Sequence, residues 1–149
     1  MFVTPEHLLR QSGLRLTRPR LAVLAALRDA PHSGADAVLS AVRREAGPVS
    51  TQAVYDVLNV LADRGVVRRI QPAGSVARYE LRTGDNHHHV VCRECGDVGD
   101  VDCATGEAPC LETRPGLGFV IDEAEVTYWG LCASCQPILP QEPPTRGAR

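Results

Sequence analysis

Apolar residues recur at helical spacing through the first sixty positions and then switch to the shorter period of strands. Residues 5–11 form a brief helical stretch closed by Gly13. Thr17 precedes Arg18-Pro19, a favoured N-cap with proline in the first turn. Leu21, Leu24, Ala25 and Leu27 then mark one helix face as far as about Ala30. Residues 31–34 read as a connector. Residues 35–44 repeat the helical pattern through Val38, Leu39 and Val42, and Gly47-Pro48 breaks it. Ser50 caps a fourth helix, in which Val54, Val57, Leu58 and Leu61 fall at i, i+3, i+4 and i+7. Thr51, Gln52 and Tyr55 lie on its other side, and Gly65 ends it. A strand at 66–70, a turn at 72–75 and a return strand at 76–81 follow. Four helices and a hairpin, in that order, are the outline of a winged helix-turn-helix.

A polar linker at residues 83–86 separates this half from a strand-rich remainder. Residues 87–92 and 97–101 read as strands around a metal knuckle, and 119–131 as a strand or strand pair. The expected organisation is α+β: a winged-helix domain over 1–82, a small metal-binding domain over 83–136, and a disordered tail over 137–149, rich in proline and poor in apolar residues.

Net charge sharpens this division. The chain of 149 residues carries −2 overall, yet residues 1–82 hold 12 arginines against 7 acids, and residues 83–149 hold 4 against 11. A basic half suits a polyanion. No lysine occurs, which fits a GC-rich coding sequence better than a mechanism. No apolar run reaches the roughly 20 residues of a membrane helix, and residues 1–11 lack a signal-peptide pattern. The expected location is therefore the cytoplasm, where thiols stay reduced and Cys-x-x-Cys signals metal or redox chemistry rather than a disulfide framework.

Two such pairs are present, Cys92/Cys95 and Cys132/Cys135. Four thiols in matched pairs are the ligand set of a closed tetrahedral zinc site, which holds a fold rather than turning over substrate. Cys103 and Cys110 lack that spacing and read more simply as core or stray redox thiols. Beside the first pair stand His87, His88 and His89. On a strand, His87 and His89 share one face and His88 takes the other. A lone histidine there would be a solvated strand end; a run of three beside a thiol knuckle argues for a second metal, and imidazole suits iron, manganese or nickel as well as zinc. Completing its sphere needs ligands from elsewhere, and His32 and Glu80, both at element ends in the basic half, are the candidates.

The start of the helix at Thr51 is the candidate recognition surface, because such helices put their first turns into the major groove. Gln52 can read a base edge and Tyr55 a thymine methyl. Arg15, Arg18, Arg20, Arg68, Arg69 and Arg78 can neutralise phosphates, although any one of them can equally be a solvated surface charge.

With these residues in place, the chain resembles the ferric uptake regulator family of bacterial metal-dependent repressors, over about residues 8–136. The resemblance rests on the His-x-His-x-x-Cys-x-x-Cys-Gly core from His87 to Gly96, on Tyr128-Trp129-Gly130-Leu131-Cys132, and on the 52–58 segment of the recognition helix. It implies a homodimer, built on an N-terminal winged helix and a C-terminal α/β dimerisation domain, that binds a palindromic, AT-rich double-stranded operator. It implies structural Zn2+ on Cys92, Cys95, Cys132 and Cys135, and a regulatory Fe2+ or Mn2+ on His32, Glu80, His87 and His89. A third site of the family would fall on Asn86, His88, Glu107 and Ala124; Ala124 cannot ligate, so His88 and Glu107 alone would bind weakly. Asp56 also departs, since many members carry arginine there. Asp100 points to a subfamily: peroxide-sensing members carry aspartate as a fifth regulatory ligand where iron sensors often carry glutamate. With the 102–104 stretch, Asp-Cys-Ala, this resembles the actinobacterial branch that represses catalase-peroxidase.

The expected function is thus a repressor of oxidative-stress genes that senses peroxide or iron. Sensing of iron, zinc or nickel level without peroxide is the alternative. A zinc-dependent hydrolytic enzyme is the remote one, and it lacks its usual signatures: neither His-Glu-x-x-His nor the His-x-Glu with Pro-Cys-x-x-Cys of zinc deaminases occurs.

Overall fold

The computed structural model describes residues 4–81, 83, 87–102, 118, 120 and 125–137. The chain divides into two compact units, Met1–Asn86 and His87–Arg149. The expected linker (apart from Thr83), Cys103, Glu107, Cys110, Ala124 and the tail from 138 onward lie outside the described residues.

In the first unit, α1 (Pro5–Gln11), α2 (Arg18–Asp29), α3 (Ala35–Ala46) and α4 (Thr51–Asp63) form where the apolar stripes predict them. Thr4, Thr17 and Ser50 cap α1, α2 and α4, each hydroxyl accepting from a backbone N–H in the first turn. Two helices end in the same way. After α4, Gly65 takes a left-handed φ of 65°, its N–H donates to the Ala62 carbonyl, and the Val66 N–H reaches back to Leu61 at 2.9 Å. After α1, Gly13 and Leu14 repeat this with Arg10 and Leu9. The left-handed residue lets the chain turn back and satisfy the orphan carbonyls of the last helical turn, and a side chain there would be strained.

The helices enclose one core of Leu9, Val23, Leu24, Leu27, Val38, Val42, Val54, Leu58 and Leu61, with Val66, Val67 and Tyr79 closing it. A three-stranded antiparallel sheet of order β1-β3-β2 completes the unit, with β1 at Ser33–Gly34, β2 at Arg68–Ile70 and β3 at Arg78–Glu80. Two expectations are corrected here. Residues 33–34, read as connector, form β1 and pair with β3, Ser33 opposite Tyr79 and Gly34 opposite Arg78. The first hairpin strand begins at Arg68 rather than Val66, because the N–H groups of Val66 and Val67 both bond Leu61 and are spent on closing α4.

The second unit is built on a mixed sheet of order β5-β4-β6, with β4 at His88–Cys92, β5 at Val98–Val101 and β6 at Thr127–Gly130. β4 runs antiparallel to β5, with His89 opposite Asp100, and parallel to β6, with Val90 opposite Tyr128 and Cys92 opposite Gly130. Of the strand or strand pair expected over 119–131, the described residues contain β6.

The core of the first unit supplies a direct test. Leu58 is fully buried, and Leu58→Ala should cost roughly 2–5 kcal/mol through lost burial and the cavity left behind. Urea denaturation of the full chain measures it; a loss well below that range would mean that α4 is not seated on this core.

Candidate metal centres and nucleic-acid interface

The four cysteines meet at one end of the β5-β4-β6 sheet. Cys92 closes β4, and the chain then turns through residues 93–96, with the Gly96 N–H donating to the Cys92 carbonyl at 2.9 Å. The Cys92 N–H donates to Asp97 at 2.8 Å, which starts β5 alongside. Because Gly130 pairs with Cys92 across the parallel ladder, Cys132 arrives two residues beyond it, and a second turn over 132–135 brings in Cys135. The guanidinium of Arg93 lies 5.4 Å from the centre of the Trp129 ring and braces the first turn against β6.

The sulfurs all lie within 4.8 Å of one another, and Cys95 and Cys132 stand 3.6 Å apart. That is too long for a disulfide. It matches the roughly 3.8 Å edge of a tetrahedron with Zn–S bonds near 2.3 Å. The electrostatics agree. Backbone N–H groups of Cys95 and Cys132 aimed at the Cys92 sulfur lower its pKa to about 6, whereas the neighbouring sulfurs of Cys132 and Cys95 push Cys135 up to about 12. The first thiolate forms readily and the last only against its neighbours' charge, so this donor set needs a cation to ionise fully.

The second constellation is described within each unit separately. In the first unit His32, just before β1, and Glu80, at the end of β3, are both buried, and Nε2 of His32 lies 3.0 Å from Oε2 of Glu80. An imidazole and a carboxylate at that separation can share one ion, since bonds of roughly 2.1 Å at right angles span about 3 Å. In the second unit His87 and His89 share one face, their rings 4.8 Å apart and edge to face. The β4–β5 register places Asp100 opposite His89, and its Oδ1 lies 3.8 Å from Nε2 of His87 and 3.7 Å from Nε2 of His89. These are wider than a ligand edge for a small cation, so a bound ion would draw the carboxylate inward. His88 points the other way, its ring 6.4 Å from that of Tyr128, and its buried Nδ1 has no hydrogen-bond partner among the described residues. Its expected companion Glu107 lies outside them.

The DNA candidates sit on an exposed surface of the first unit. Thr51 and Gln52 are exposed and Tyr55 is 38% exposed. Gln52 Nε2 donates to Asp56 Oδ1 at 2.8 Å, which fixes the amide on the helix surface. Arg15 and Arg18 are exposed, and Arg20 donates to the Arg15 carbonyl at 2.8 Å, holding the approach to α2. Arg43 was not singled out by sequence reasoning. It donates to the Val49 carbonyl and to Thr51 Oγ1, so it braces the turn between α3 and α4. A basic residue in the last turn of the helix before a Gly-Pro break was the available signal.

A winged helix joined to a thiol knuckle and a histidine–carboxylate set defines a metal-responsive DNA-binding regulator. The ferric uptake regulator family model matches residues 11–128, and the chain belongs to that family. It is 60% identical over 127 residues to the transcriptional regulator FurA of Mycobacterium tuberculosis, covering 85% of this chain and 86% of the relative. It is 30% identical over 134 residues to the peroxide-responsive repressor PerR of Staphylococcus aureus, covering 86% of each. Among solved structures, the Helicobacter pylori ferric uptake regulator superposes with a TM-score of 0.66 at 18% identity, over 92% of this chain and 98% of that one, which supports the fold. Members of this family are transcription regulators, not enzymes, and the expectation of a non-enzyme stands.

The thiol cluster yields a prediction with a definite sign. Zinc must displace the protons still held by the raised thiols, so apparent zinc affinity rises with pH between about 6 and about 12. Calorimetric titration of the zinc-free protein at neutral pH should give a heat that varies with the ionisation enthalpy of the buffer. The same heat in every buffer would mean that the thiols are already ionised and the electrostatic account is wrong.

Proposed function

We propose that this regulator is a peroxide-responsive repressor, acting in the cytoplasm as a homodimer on palindromic, AT-rich operators and controlling oxidative-stress genes such as catalase-peroxidase. In this reading Cys92, Cys95, Cys132 and Cys135 hold structural Zn2+. His32, Glu80, His87, His89 and Asp100 hold a regulatory Fe2+ or Mn2+. Arg15, Arg18, Arg20, Thr51, Gln52 and Tyr55 face DNA. His88 contributes at most a weak third site with Glu107. No helix among the described residues is long and apolar enough to cross a membrane.

The observation that carries the peroxide reading is Asp100. The β4–β5 register sets its carboxylate opposite His89 and between the two imidazoles. A short side chain at this register position is held by the strand backbone, so it stays close to the histidines. The dimer is supported by the apolar surface that Val90 and Tyr128 share across the β4–β6 ladder, with Trp129 and Leu131 also exposed.

In this reading His32 and Glu80 contribute ligands from the first unit, and His87, His89 and Asp100 contribute ligands from the second. Occupancy thereby becomes a constraint on how the two DNA-reading helices of a dimer are presented to an operator. Ferrous iron held by these residues would supply one-electron reduction of peroxide. The residues open to such oxidation would be His32 and His87, or a thiol. An oxidised ligand no longer donates, the constraint is lost, and the repressor leaves DNA. A second reading, sensing of iron level alone, is favoured by the 62% identity over 131 residues to ferric uptake regulation protein 1 of Mycolicibacterium fortuitum, about twice the identity to PerR.

One experiment separates the two readings. Operator binding is measured for the ferrous and manganese forms with and without peroxide, and the products are examined by mass spectrometry. The ferrous form should lose operator affinity at low peroxide and gain oxygen on His32 or His87, while the manganese form should not. An identical response of both forms would favour metal-level sensing. His89→Ala should keep its zinc yet lose metal-activated operator binding; full affinity in the metal-stripped variant would remove the regulatory site from the account.

The DNA surface is tested by Tyr55→Ala. Specific binding should weaken by roughly 1–3 kcal/mol, as for a lost base contact, with a smaller effect on random duplex. Equal losses on both would reassign Tyr55 to phosphate positioning or packing.

A further inference from the structure

His32 has a φ of 59°, the single non-glycine residue with positive φ among the described residues. A side-chain-bearing residue reaches this left-handed conformation only when its surroundings hold it there. Glycine would relieve the strain but would remove the imidazole. Strand β3 provides two holds on it. Arg78 Nη1 donates to the His32 carbonyl at 3.1 Å, and Glu80 Oε2 lies 3.0 Å from His32 Nε2. Arg78 and Glu80 stand two apart on the same strand, so both lie on one side of it. The next two residues, Ser33 and Gly34, pair with Tyr79 and Arg78 of that strand.

We propose that Arg78 is a positioning residue for the regulatory metal: its bond to the His32 carbonyl stabilises the left-handed backbone that brings Nε2 to Glu80. The inference rests on the assignment of His32 and Glu80 to that site and adds a residue that ligates nothing. It also replaces the simpler role of Arg78 as one more phosphate contact. The Nη1 bond to the His32 carbonyl orients the guanidinium on the His32 side of β3, so its first role is to hold the turn. The same strand then holds both ends of His32, its backbone through Arg78 and its imidazole through Glu80.

The test uses the full-length, zinc-loaded protein and three variants: Arg78→Met, which keeps an aliphatic stem and removes the donor; Arg78→Lys, which restores an N–H donor; and His32→Ala. Manganese affinity is measured by calorimetry, and affinity for a duplex selected by the wild-type protein is measured at saturating manganese. Arg78→Met should weaken manganese binding roughly ten- to hundred-fold, the usual cost of losing a group that orients a ligand. Arg78→Lys should recover most of that loss, and His32→Ala should bind at least as weakly as Arg78→Met. DNA affinity of the manganese-saturated Arg78→Met protein should match wild type. Wild-type manganese affinity in Arg78→Met, with loss in His32→Ala, would overturn the role of Arg78 and leave the site standing. Unchanged affinity in both would overturn the site itself. Wild-type manganese affinity combined with weakened DNA binding would make Arg78 a phosphate contact.

Discussion

Four sulfur ligands held within 4.8 Å of one another can all be ionised only around a cation. The second unit depends on that constraint. Its sheet is small, and the ends of β4 and β6 are joined by no long apolar run. The cysteines complete what the core cannot. Cys92 ends the central strand, the turn after it starts β5, and Cys132 follows the end of β6, so one ion would tie all three strands at one point. A small unit with few buried apolar residues among those described, Val91 and Val98 among them, gains from such a staple what a larger domain obtains by burial.

Once the ends of β4, β5 and β6 are fixed, the register along β4 decides the chemistry. Period-two alternation sends His87 and His89 to one face and His88 to the other, and the antiparallel partner puts Asp100 on the imidazole side. A slip of one residue would exchange the faces and leave the carboxylate beside His88. The zinc knuckle anchors this strand at its C-terminal end, three residues beyond His89. An ion on the four thiols would therefore hold the register that places His87, His89 and Asp100 on one face.

Much of this was legible in the residues. Hydroxyl caps at Thr17 and Ser50 and breaks at Gly13, Gly47 and Gly65 located the helices closely, because capping and left-handed turns are local chemistry written in residue type. The paired thiols were legible because metal ligation fixes both residue type and spacing. What escaped reading was non-local. Two residues at 33–34 are too few to show a strand period, and their pairing with β3 follows from where the hairpin lands. Val66 and Val67 have strand composition, yet their N–H groups were already needed to close α4. The parallel pairing of β4 with β6 has no local signature, since its partners are far apart in sequence. Arg43 and Arg78 each bond a backbone carbonyl; the position of Arg43 before a Gly-Pro break was the one available signal, and Arg78 had none.

The buried carboxylate of Glu80 adds the last constraint. It is 1% exposed, and a carboxylate so placed is costly unless a partner compensates it. The His32 imidazole, at 3.0 Å, is the partner that the first unit provides. A divalent ion would offer the same compensation more strongly and would need both groups as ligands. The pair thus offers a nitrogen and a carboxylate oxygen already 3.0 Å apart, a separation that a divalent ion could bridge. Because Glu80 ends β3 and His32 precedes β1, which pairs with β3, an ion held by this pair would act directly on the sheet that forms the wing.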